Sequence, residues 1–213
     1  MDRALLWVLW NLFLAALPVV FGRRLAAQVR RARAGNPGLW VAVALWSVLW
    51  LGFLPNTCYL LTEWRHWFDG IHTAQYWQHW TRNGSVPDFV ALARWTIFFA
   101  AFSGAGVVAF WAAVRPLAQA LRDWRGYPLA GALLFWLNSI GVYLGLELRF
   151  NTWDLLHRPL SIARTALAAL RHSEFLLMTI GFTLLLWVLY QAVETFAVGL
   201  KQRLGNPEEA PSA

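Results

Sequence analysis

The sequence predicts an all-α fold: a polytopic transmembrane bundle of about five membrane-crossing helices, with one amphipathic helix lying in the interface. Three observations carry this. The 213-residue chain is 59% hydrophobic and only 14% charged, whereas a soluble domain carries about 25% charge. Its apolar residues gather into runs near 4–22, 39–56, 89–114, 128–150 and 175–199, each close to the roughly 20 residues that cross a hydrocarbon core. No run alternates polar with apolar as a barrel strand does. In lipid, backbone groups then find partners only inside helices.

Taken in order, the first run (ALLWVLWNLFLAALPVVFG) lacks a basic leader and ends in Gly22-Arg23-Arg24 rather than a small-residue cleavage site. It reads as a retained membrane helix, kinked at Pro18 near its inner end. The second run continues past 56 as a polar half-helix to about residue 67, opened by Pro55, since proline tolerates a first helical turn. Residues 65–88 read as a connection rich in His, Gln and Trp, closing in a turn at Asn83-Gly84-Ser85 with Pro87 behind it. The third run holds Gly104-x-Gly106 and the fourth Gly141-x-x-x-Gly145, spacings that let helices approach closely. The Gly141/Gly145 face also suits a second copy or a membrane partner. After Pro159 the chain turns amphipathic, with Arg164 and Arg171 flanking Leu167 and Leu170, as an interfacial helix requires. Residues 1–204 form one transmembrane domain on this reading, and 205–213 form a polar, disordered tail.

Basic residues set the orientation. Arg23, Arg24, Arg30, Arg31 and Arg33 fall in the 22–38 loop, Arg115, Arg122 and Arg125 in the 115–127 loop, and Lys201 and Arg203 in the tail. On the other side are Arg3, Arg65, Arg82, Arg149, Arg158, Arg164 and Arg171. The excess puts the N-terminus outside and the C-terminus in the cytoplasm, and arginine outnumbering lysine seventeen to one suggests a GC-rich bacterial genome, so that the membrane is expected to be a bacterial inner one. A net charge of +7 distributed in short juxtamembrane loops suits anionic headgroups. Nucleic acid is excluded as a partner, because no basic domain, zinc spacing or aromatic RNA platform exists. The single cysteine, Cys58, rules out an internal disulfide. Among the fifteen tryptophans, Trp64, Trp67, Trp77, Trp80 and Trp153 mark the outer boundary, and Trp40 and Trp124 the inner one. Trp46, Trp50, Trp95, Trp111, Trp136 and Trp187 lie deeper, where their ring nitrogens need partners.

The chemistry gathers where the second run leaves the apolar zone. At about 100° per residue, Asn56, Tyr59, Glu63 and His66 share one narrow helical face. In the fourth helix Glu147, Asn151 and Asp154 repeat at i, i+4 and i+7, with Tyr143 a turn deeper and Arg149 on an adjoining face. Arg94 sits in the same leaflet of the third helix. Charges at membrane depth are costly and face a partner or a watery cavity, so these groups are expected to converge. Interhelical ion pairs and amide bridges would produce the same pattern without any function. Imidazole and carboxylate also suit a metal, but no HExxH or paired-histidine spacing is present; no metal is assigned, and the cofactor stays open. GxSxG, P-loop and GxGxxG are absent. Glu194, alone near the inner end of the fifth helix, is expected to pair with Arg115 or Lys201.

The run Leu54-Pro55-Asn56-x-x-Tyr59-x-x-Thr62-Glu63-x-x-His66, together with Tyr143-Leu144-Gly145 and Leu148-Arg149-Phe150-Asn151-Thr152-Trp153-Asp154, resembles a bacterial membrane-protein family named "domain of unknown function 1361". The likeness spans nearly the whole chain. It implies a small multi-pass membrane protein and no established activity.

Two function classes follow. The first is an outer-leaflet protein binding or processing a lipid or lipid-linked anionic substrate. In it Glu63 or Asp154 is the general base and His66 its partner. Arg94 and Arg149 anchor the headgroup, and Asn56, Tyr59, Glu147 and Asn151 complete the contacts. The second is a non-catalytic accessory, binding or transport subunit whose polar cluster only joins helices.

Overall fold

The computed structural model describes residues 3–68, 71–150 and 157–205, and among them it is helical with no strand. The elements are α1 (Arg3–Arg33), a 3-10 turn (Pro37–Leu39), α2 (Trp40–Phe53), α3 (Pro55–Thr62), α4 (Trp64–Phe68), α5 (Ile71–Asn83), α6 (Val86–Leu121), α7 (Tyr127–Leu146), α8 (Pro159–Ala169) and α9 (Ser173–Gly205). Five segments are long and apolar enough to cross a membrane: Leu5–Arg33, Pro37–Phe68, Val86–Leu121, Tyr127–Leu146 and Ser173–Leu204. They run alternately up and down. One end of the bundle gathers the C-termini of α1, α6 and α9 with their arginines, and is called the basic end below.

Two helices overrun their apolar stretches. The 22–38 segment, expected as a loop, continues α1 to Arg33. The reason is a second pattern laid over the arginines: Leu25, Ala26, Val29 and Ala32 recur on one face and are buried, while Arg23, Arg24, Arg30, Arg31 and Arg33 stay exposed. Most of the 115–127 segment likewise belongs to α6, which runs through Pro116 to Leu121. The overhangs support each other. Leu25 and Val29 join the core formed by Phe110, Ala113 and Val114, and the Arg33 guanidinium donates to the Ala120 carbonyl at 2.7 Å, satisfying an orphan acceptor of the last turn.

The second span is jointed rather than continuous. Pro55 has no N–H to give, so α2 stops at Phe53 and α3 begins at Pro55. Side chains take over: the Thr57 hydroxyl donates to the Leu54 carbonyl at 2.8 Å and the Asn56 amide to the Phe53 carbonyl at 3.0 Å. A second joint at Glu63 leads into α4. Beyond it, 71–83 of the expected connection is the helix α5, seated on α6 by the ring contact of Trp80 with Phe89, while Trp77 packs on Trp80 within α5. The turn at Asn83-Gly84-Ser85 is present, with Gly84 at φ +61°, a left-handed setting that suits glycine.

Lipid tails are as apolar as leucine, so helices in a membrane associate by close packing and polar contacts. The glycines report where. A Cβ at Gly106 would stand 2.6 Å from the Thr57 carbonyl oxygen and 2.8 Å from Leu60 Cβ, so α6 and α3 touch there. Gly104 meets nothing within 4 Å; of that pair one glycine is a contact. Gly141 and Gly145 close against Pro55 and Tyr59 of the same chain, so this small-residue face is occupied within the molecule. Of the deeper indole nitrogens, Trp50 donates to the Ala113 carbonyl at 3.1 Å and Trp136 to the Thr179 hydroxyl at 3.3 Å.

Candidate functional site

Helix α7 ends at Leu146, four residues earlier than its apolar run suggests. Arg149 adopts φ +56°, and the Phe150 N–H reaches back to the Leu144 carbonyl at 3.2 Å, which closes the helix end. The stripe expected from Glu147, Asn151 and Asp154 needed the helix to continue. It does not: Glu147 is exposed at the helix end, and Asn151 and Asp154 lie outside the described residues. The reversal instead brings Arg149 and Phe150 to face α3.

There, at the end opposite the basic one, a cavity of about 690 Å³ opens between α1, α3 and the α7 terminus. Asn56, Tyr59, Thr62, Glu63, Arg65 and Arg149 line it, against aromatic walls from Trp7, Trp10, Phe13, Phe53 and Phe150. The positions follow from local structure. Asn56, Tyr59 and Glu63 share one face across the α3–α4 joint, and the turn at 149 supplies the second guanidinium. The Tyr59 hydroxyl donates to the Gly141 carbonyl at 3.4 Å, so the α3–α7 contact fixes the ring. His66 is not a lining residue; its side chain is 57% exposed and reaches the rim only through Glu63, with Nε2 3.2 Å from Glu63 Oε2. That oxygen is buried and has no well-aligned hydrogen bond; the imidazole is near it but off the hydrogen-bonding direction.

The remaining expected residues are elsewhere. Arg94 lines a separate recess with Tyr76, Trp95 and Phe98 on the outside of α6, and so is not a wall of this cavity. Helical geometry fixes depth along a helix but not which neighbour it faces, and α6 turns Arg94 away from α3. Arg65, counted in the sequence only among the basic residues of the outer side, lines the cavity. His79 approaches Asp88 at 3.6 Å, joining α5 to the start of α6. Among the described residues no three of His, Cys, Asp and Glu come together.

Two polar clusters escaped the sequence reading in part or whole. In the core, the Asn138 amide donates to Cys58 Sγ at 3.2 Å, Ser139 and Thr183 hydroxyls bond at 2.9 Å, and Asn138 Oδ1 is buried with no partner. Asn138-Ser139 interrupting an apolar helix, with Thr179 and Thr183 four apart on α9, was the available signal. Near the basic end Glu194 pairs with Arg115, one of its two expected partners, at 2.9 Å, and accepts the Trp111 indole N–H at 2.6 Å.

No curated protein and no solved structure matches the chain. The profile of a family described as "Protein of unknown function (DUF1361)" matches residues 10–189, from within α1 to about the middle of α9 and including every residue that lines the cavity except Trp7. The chain belongs to this family of unknown function.

Proposed function

We propose that the cavity holds the anionic headgroup of a lipid or lipid-linked molecule at the outer face of a bacterial inner membrane. One observation carries the reading: Arg65 and Arg149 line the same aromatic-walled space as Glu63. A lone guanidinium at membrane depth would be costly, whereas two that share a cavity suit a phosphate, which accepts paired donors from arginine. The aromatic walls suit the glycerol or sugar part of a headgroup, presenting flat apolar faces beside polar tips. Glu63 is the group placed to take a proton, and His66 at the rim is its partner; with them, binding extends to processing.

A second reading has its own observation. The Tyr59 hydroxyl and the Asn56 amide are engaged with the Gly141 and Phe53 carbonyls, as expected of residues that only join helices. Lipid binding separates the two. The detergent-purified protein is loaded with phosphatidic acid or phosphatidylcholine, and retained lipid is counted by native mass spectrometry. Losing one charge-assisted contact costs ~1.5–3 kcal/mol, so Arg149→Gln should lower phosphatidic acid retention roughly tenfold or more. Arg94→Gln should leave it unchanged. Equal retention in wild type and Arg149→Gln would hand the cluster to the structural reading.

A further inference from the structure

The polar cavity does not end at Tyr59. Tyr59 and Phe150 also line a second space of about 330 Å³ between α2–α3 and α7, walled by Pro55, Gly141, Leu144 and Ile162 of α8. This space in turn shares Leu51 and Leu137 with a third, of about 460 Å³, at the basic end. Shared wall residues set the three spaces end to end along the seam between α2 and α7. It exists because α2 packs on α1 and α7 on α9 and α3; α6, with Val114 and Leu117, forms its floor. Below Tyr59 the lining is almost wholly apolar, with Ser47, Tyr127 and Tyr190 the exceptions.

Length selects the occupant. The cleft follows the 14 residues of α2, about 21 Å at ~1.5 Å per residue, while half a ~30 Å hydrocarbon core is about 15 Å. A phospholipid tail anchored at the polar cavity stops near the midplane; this cleft continues past it. It is also a single seam, between α2 and α7, that leads away from one polar cavity. We infer that the cleft holds the tail of a single-chain lipid long enough to pass the bilayer midplane, in chemical class a polyprenyl phosphate. Its phosphate sits between Arg65 and Arg149, so the inference rests on the headgroup reading above. Tyr59 and Phe150, lining both spaces, mark where head passes into tail.

Gly131 provides the test. It lines the basic-end space, and a Cβ there meets nothing within 4 Å, so Gly131→Leu adds bulk to the cleft from a position with open space around it. The protein is loaded in detergent with geranyl phosphate or undecaprenyl phosphate, with diacyl phosphatidic acid as competitor, and read by native mass spectrometry. Tail contacts are van der Waals packing, so the long lipid should be retained roughly fivefold over the short one, and the diacyl lipid should not displace it. Gly131→Leu should remove that advantage and leave the short lipid untouched, while Arg149→Gln lowers both. Equal retention of the two lengths, an ineffective Gly131→Leu, or displacement by phosphatidic acid overturns the tail inference; if Arg149→Gln still lowers both lipids, the headgroup reading survives. If neither phosphate binds, both fall together.

Discussion

At position 106, α6 has space for a hydrogen and nothing larger, because the Thr57 carbonyl oxygen waits 2.6 Å from where a Cβ would be. Two residues earlier, Gly104 faces open space. Gly106→Ala should therefore lower stability by ~1–3 kcal/mol, the usual range for overpacking. Gly104→Ala should raise it by ~0.5–1 kcal/mol through helix propensity. Thermal unfolding in detergent, followed by tryptophan fluorescence, checks both; a shift of the same sign in the two variants would contradict the α3–α6 contact. The Gly-x-Gly spacing was legible in the sequence, but which glycine makes the contact was not, since that depends on the rotation of α6 against α3. Glu194 tells the same story. Its need of a cation could be read from its depth; its indole partner could not. Arg115 and Glu194 are about 30% exposed, and Arg115 also lies 5.0 Å from the Trp111 ring centre. Glu194→Leu should cost ~1.5–3 kcal/mol, because Arg115 loses its carboxylate. The double variant Arg115→Met/Glu194→Leu should recover part of that loss, since no charge is left unpaired. A double variant as unstable as the sum of the singles would mean the two residues do not interact.

At the scale of elements, the apolar runs located each span, and the errors lie at their ends. In α1 a dense set of arginines masked the Leu25, Ala26, Val29 and Ala32 face that carries the helix eleven residues beyond Gly22, to Arg33. If the overhang is a packed helix, Val29→Ala should cost ~0.5–1.5 kcal/mol for the lost methyls, while Arg30→Ala, exposed on the next position, stays within ~0.5 kcal/mol. Equal, negligible effects on the unfolding midpoint would return 22–33 to a loop. At α7 the opposite happened: the pattern promised more helix than forms. The left-handed Arg149 ends it, at a cost of roughly 1–2 kcal/mol for a residue with a Cβ. Arg149→Gly should thus keep or raise stability while removing the guanidinium from the cavity, so lipid retention falls without any loss of fold. No composition rule predicts a left-handed arginine; the turn around it is closed by the Phe150 N–H reaching back to the Leu144 carbonyl.

For the whole molecule, sidedness follows from charge. The basic end collects ten lysines and arginines, against seven in the segments flanking the other end and Arg94 within the α6 helix near it, and the expected arrangement is basic end in the cytoplasm. Asn36 and Asn83 are exposed at opposite ends, and unlike their neighbours Gly35 and Gly84, which hold φ of +103° and +61°, they accept cysteine without backbone strain. In a Cys58→Ala background, a membrane-impermeant maleimide applied to intact cells should label Asn83→Cys and spare Asn36→Cys; the reverse result inverts the topology. The sequence by itself determined that the chain is helical, where its five spans lie, and that Asn56, Tyr59 and Glu63 share a face. Those properties come from hydropathy and helical periodicity, which are local and survive in any tertiary setting. Only the tertiary structure decided that Arg149 and Arg65 line the cavity with Glu63 while Arg94 turns outward. It alone joined that cavity to a cleft between α2 and α7. Both depend on how each helix is rotated about its axis and on where a terminus reverses. In lipid, every apolar face is acceptable to the solvent, so the hydrophobic pattern does not select the rotation, and packing of glycines, prolines and buried polar groups does.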